Sequence, residues 1–108
     1  MNVKTVEADG VAVFQVTGEI NISTSPELKK IFEKNTAKRI VVDFEKVTYV
    51  DSSGLATLVE MLKKTKTQGG QLGLAALSDK VRSLFEITKL DKLFPISLNQ
   101  QEAIAKVK

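Results

Sequence analysis

Two short apolar runs, "RIVVDF" at 39–44 and "QLGLAAL" at 71–77, flank a stretch in which Leu55, Leu58, Val59 and Leu62 recur at i, i+3, i+4 and i+7. The flanking runs are strand-like in length and content, whereas the middle has the period of an amphipathic helix. A strand, helix, strand succession implies parallel strands joined by a right-handed crossover, with the helix covering a face of the sheet. Few folds satisfy that constraint, and the chain must be of the α/β class.

The rest of the chain extends the pattern. Residues 3–8 and 11–17 are β-branched segments separated by Asp9-Gly10, a dipeptide suited to a two-residue hairpin turn. Ala12, Phe14 and Val16 point one way and Val11 and Val13 the other, so the second strand is expected inside the sheet, with Gly18 ending it. In "STSPELKKIFEKN" a serine cap is expected before Pro26 and Glu27, and Leu28, Ile31 and Phe32 mark a first helix. After "RIVVDF" a loop is expected to carry Val47, Tyr49 and Val50. Gly69-Gly70 should stop the second helix, Ser78 or Asp79 should cap a third through Val81, Leu84 and Phe85, and Asn99 should cap a last one through Ala103, Ile104 and Val107. With a short strand near Ile96, the expectation is a single domain over 1–108. Its mixed, mostly parallel sheet of four to five strands would open with a hairpin and be covered by four to five helices.

With 108 residues, 43% hydrophobic and 27% charged, the chain suits one small core. No apolar run approaches the roughly 20 residues needed to cross a bilayer, and "MNVKTVEADG" has no signal-like apolar segment, so a cytoplasmic protein without membrane insertion is expected. Cysteine and histidine are both absent, which removes disulfides, thiol nucleophiles, Ser-His and Cys-His dyads and the usual zinc sites. The net charge of +3 comes from lysines spread among acids, with few aromatics and none interleaved with basic residues, so nucleic acid is not an expected partner. No cofactor is expected.

"VDSSGLATLVEML" at 50–62 places Asp51, Ser52, Ser53 and Gly54 where a strand's carboxyl end meets a helix N-terminus, the usual ligand position in a parallel βα unit. The structural reading makes Asp51 or Ser52 the N-cap and the other hydroxyl a polar first-turn residue. The functional reading notes that Gly54 replaces a better helix former, which suggests close approach by something else, and that a phosphoserine gains from the helix dipole. Asp51 would repel that phosphate, as suits a switch whose modified form is excluded from an interface. Serine catalysis is not supported: G-x-S-x-G is missing, no histidine can act as base, and Lys63 and Lys64 lie two to three turns away. A phosphoaspartate switch at Asp51 would need further carboxylates to hold Mg²⁺, and only Glu7 and Asp9 lie near the first strand.

Three ordered blocks carry a resemblance: "VTGEINISTSPELKK", "VTYVDSSGLATLVEMLKKTKTQGGQL" and "LFEITKLDKLFPI". Together they span nearly the whole chain, which resembles the STAS-domain anti-sigma-factor antagonists of bacteria. The resemblance implies an unphosphorylated form that binds an anti-sigma factor with serine kinase activity and frees the sigma factor. It also implies a phosphoserine that ends binding and a PP2C-type phosphatase that restores it. By position that serine is Ser52, with Ser53 the second choice, and Glu19, Asn21, Asp51, Ser52, Ser53 and Gly54 would form the partner-binding set, Gly54 letting the partner's backbone approach. No enzymatic activity is implied. Asn21 stands where the family usually has aspartate, and Lys89 where glycine is common. The alternative is a STAS scaffold subunit of a signalling or transporter-associated complex, which is not phosphorylated.

Overall fold

The computed structural model describes residues 1–108 and contains one five-stranded sheet whose strands lie side by side in chain order. β1 (Asn2–Ala8) and β2 (Val11–Ile20) form the antiparallel hairpin, with Ala8 opposite Val11. Asp9 and Gly10 take φ of 55° and 79°, the two left-handed residues that this tight turn requires. β3 (Arg39–Val50), β4 (Gln71–Ala75) and β5 (Ile96–Ser97) add in parallel. The connections are α1 (Ser25–Lys34), α2 (Ser52–Thr67) and α3 (Asp79–Ile87), the last followed by a 3-10 turn at Leu90–Lys92; α4 (Gln100–Val107) follows β5. The expected mixed, mostly parallel sheet with its opening hairpin is thus the one that forms. No helix is long and apolar enough to cross a membrane.

The double-sided pattern of β2 sorts into two cores. Ala12, Phe14 and Val16 join twenty buried residues that include Leu28 of α1, Leu58 of α2 and Phe85 of α3. Val11 and Val13 face a smaller cluster made with Val41, Ala75 and the α4 side chains Ala103, Ile104 and Val107. Three helices therefore cover one face and α4 covers part of the other. Phe85 packs edge-on against both Phe44 and Phe94, which ties α3 and the segment before β5 to the sheet. Ser78 and Asn99 cap α3 and α4 through bonds from Val81 N–H and Glu102 N–H.

Three expectations are corrected. Gly18 does not end β2: with φ of 100° it sits at an irregularity through which the strand continues to Ile20. Residues 45–50 are not a loop but the second half of β3, paired with Thr17–Ile20. Two register shifts give β3 an extra residue each, so Phe44, Val47 and Val50, spaced by three, all reach the larger core. A period-two reading cannot follow a strand bulged in this way. The third correction concerns α1, whose N-cap is Thr24 without a side-chain cap bond; Ser25 is buried in the first turn and its hydroxyl has no partner.

Candidate functional site

β2 and β3 end together. Ile20 pairs with Val50, and the Asp51 N–H donates to the Ile20 carbonyl at 3.1 Å. Two chain segments thereby meet at the carboxyl edge of the sheet: the turn leading into α1 and the start of α2.

Of the two cap candidates, Asp51 is the one used. Its Oδ1 accepts from the Gly54 N–H at 2.9 Å, and its Oδ2 accepts from the Ile22 N–H at 3.2 Å, across the gap between the two segments. Asp51 is thus both a helix cap and a tie between turns. The Leu55 N–H begins the helical ladder on the Asp51 carbonyl, which leaves the N–H groups of Ser52 and Ser53 as unpaired donors at the positive end of α2. Ser52 is exposed and Ser53 half-buried, and neither hydroxyl makes a hydrogen bond within the chain.

Gly54 is a correction to the sequence reading. It is buried, and a β-carbon on it would lie 2.5 Å from the Ile20 carbonyl oxygen and 2.9 Å from side-chain carbons of Ile20 and Val50. The approach that needs glycine comes from the chain's own strand ends, not from a partner's backbone.

Glu19 is the penultimate residue of β2, opposite Tyr49, and Asn21 follows the end of that strand. Asn21 uses its whole amide. Its Nδ2 donates to Glu19 Oε1 at 3.2 Å, while its Oδ1 accepts from the N–H groups of Ser23 and Thr24 at 2.9 and 3.1 Å. Aspartate could accept the same two N–H bonds but would face Glu19 with a second negative oxygen. The asparagine is therefore suited to this turn. Ile22, which the sequence reading passed over, is largely exposed between these groups. An apolar residue inside the polar string "NISTS" is the signal that could have found it.

Both carboxylate oxygens of Asp51 are engaged by backbone N–H groups, and nowhere do three acids gather in a way that could hold a metal ion. The phosphoaspartate alternative requires such a cluster. What the geometry offers is an uncommitted hydroxyl at a helix N-terminus, flanked by a rigid, partly acidic turn.

Comparison with known proteins shows the family of the chain. The family model for the STAS domain matches residues 2–103. The anti-sigma-B factor antagonist of Staphylococcus aureus is 32% identical over 100 residues, 90% of this chain and 93% of its own length. That of Listeria monocytogenes is 34% identical over 99 residues, 89% of this chain and 86% of its own. The crystal structure of an anti-sigma factor antagonist from Mycobacterium paratuberculosis superposes with a TM-score of 0.88 at 28% identity, covering 98% of this chain and 92% of that one. The chain belongs to the STAS domain family, alongside anti-sigma factor antagonists that it matches along most of their length.

Proposed function

We propose that this protein is an anti-sigma-factor antagonist built as a single STAS domain over 1–108. Its unphosphorylated form binds an anti-sigma factor that is also a serine kinase, and phosphorylation of Ser52 ends that binding. The observation that carries the choice of residue is the division of labour at the start of α2. Asp51 supplies the cap, so the exposed Ser52 hydroxyl is not spent on the fold. The unpaired N–H groups of Ser52 and Ser53 can then receive phosphate oxygens. Ser53, half-buried, remains the second choice.

The transfer moves the γ-phosphoryl of ATP to Ser52 Oγ, with ADP leaving and the hydroxyl proton released. The kinase supplies the catalysis; the antagonist contributes the acceptor and is not itself an enzyme. A PP2C-type phosphatase would reverse the step by hydrolysis. The phosphate adds about −1.5 to −2 charges beside Asp51. Placed in an interface without compensating cations, it loses hydration worth several kcal/mol, while about 1.4 kcal/mol already weakens binding tenfold. Charge and bulk at one position are enough to switch binding off.

The test is phosphotransfer from the anti-sigma factor kinase of the same genome with ATP, read by intact mass. One phosphate is expected on the wild type and on Ser53→Ala, and none on Ser52→Ala, which still binds the kinase. Incorporation that survives Ser52→Ala and disappears in Ser53→Ala moves the site by one residue. Recovery in a membrane-associated complex whatever the state of Ser52, with no phosphate gained, points instead to the scaffold reading.

A further inference from the structure

Ile22 is 73% exposed, as is expected of many single surface residues, and exposure alone says little. What sets it apart is how firmly its backbone is held. Its own N–H is bonded to Asp51 Oδ2, the preceding Asn21 N–H donates to Thr24 Oγ1 at 2.8 Å, and Thr24 Oγ1 donates to the Glu19 carbonyl at 2.8 Å. The Asn21 carboxamide oxygen closes the turn on the other side through Ser23 and Thr24. A side chain on so braced a turn is displayed with little freedom to lose on binding, which favours a contact that buries it. The turn is also joined by one bond to the residue that caps the helix bearing Ser52.

We propose that Ile22 is an apolar anchor that enters a socket on the anti-sigma factor, and that Asp51 is the positioning residue linking this anchor to the state of Ser52. The proposal rests on the function assigned to Ser52 above. The socket should be apolar at its floor and cationic at its rim, because Glu19 and Asp51 flank the anchor, one bonded to the Asn21 side chain and the other to the Ile22 backbone. A phosphate on Ser52 repels the Asp51 carboxylate and competes for the N–H groups nearby. It thereby disturbs the Ile22 tie as well as adding charge to the interface.

Ile87, at the end of α3 and 79% exposed, is the control. Dissociation constants are measured for unphosphorylated wild type, Ile22→Ser and Ile87→Ser against the anti-sigma factor kinase of the same genome, with thermal melts of each variant. Ile22→Ser is expected to bind at least tenfold more weakly while melting like the wild type, and Ile87→Ser to bind normally. Wild-type affinity in Ile22→Ser overturns the anchor and leaves the function of Ser52 standing; a wild type that does not bind the kinase overturns both. For the link, ¹⁵N-labelled protein is compared before and after phosphorylation. The Ile22 amide is expected to shift and to exchange faster with solvent, and an Ile22 amide that is unchanged overturns the role given to Asp51.

Discussion

Gly54 and Ile20 stand so close that a β-carbon on the first would lie 2.5 Å from the carbonyl oxygen of the second. That oxygen is fixed, because it also accepts the Asp51 N–H. Alanine is the better helix former by up to about 1 kcal/mol, so propensity alone predicts that Gly54→Ala stabilises. Contact with an immovable backbone oxygen outweighs it, and overpacking of this kind costs about 1–3 kcal/mol. A melting temperature lowered by roughly 4–8 °C per kcal/mol is expected. A variant that melts at or above the wild type would mean the strand ends can separate.

Asp51 and Ser52 should part company when each is truncated. Asp51→Ala removes the cap bond to Gly54 and the tie to Ile22, and loss of a cap typically costs about 1 kcal/mol. Ser52→Ala removes an exposed hydroxyl that holds nothing in the fold, and surface changes of this type stay within about 0.5 kcal/mol. Urea unfolding of both variants checks this, with a lower midpoint expected for Asp51→Ala only. Equal losses would make Ser52 a structural residue and weaken its claim as an acceptor.

Several features that obey one local rule could be read from the sequence, although the serine cap expected before Pro26 is not made. The Asp9-Gly10 turn, the caps Ser78 and Asn99 and the two faces of β2 follow from turn chemistry, capping and alternation. The far half of β3 could not be read in the same way, because its two extra residues convert alternation into a spacing of three that exists only against β2. Asp51, Ser52 and Ser53 were visible as a helix start; the local cap bond from Gly54 N–H sets Asp51 apart, but its second bond, from the Ile22 N–H 29 residues upstream, could not be read locally. Gly54 stands out by its missing side chain, but the Ile20 carbonyl oxygen that leaves no room for one comes from a distant strand end. Long-range pairing decided each of these.

Lys89 adopts φ of 61°, a left-handed conformation that disfavours a side chain by roughly 1–2 kcal/mol. This gives a physical reason for the glycine that the resemblance leads one to expect at that position. Glycine also gains freedom in the unfolded chain, which offsets part of the benefit. Lys89→Gly is expected to raise stability by about 0.5–1 kcal/mol, seen as a higher melting temperature. No gain, or a loss, would show that the lysine side chain makes up for its backbone.

The α1–α2 seam carries a charge network in which Glu60 meets Lys29 at 2.8 Å and Lys64 at 3.7 Å, and Lys64 also meets Glu33 at 3.5 Å. The hydrogen bond from Lys29, reinforced by its charge, holds the Glu60 carboxyl below its ordinary 4.5. The same bond raises Lys29 above 10.5. A lowered acid stabilises above its unfolded value and loses the effect as pH falls through its folded value; a raised base stabilises below its unfolded value and loses the effect as pH rises through its folded one. The pair therefore contributes between about 4.5 and 10.5 and fades beyond both ends. Both side chains are partly exposed, so the contribution is small and screened, with a Debye length near 3 Å at about 1 M salt. Melting wild type and Lys29→Met at neutral pH should show a small deficit in low salt that shrinks in about 1 M salt and again once acid protonates Glu60. A deficit that persists in high salt and in acid would assign the role of Lys29 to packing of its aliphatic stem instead.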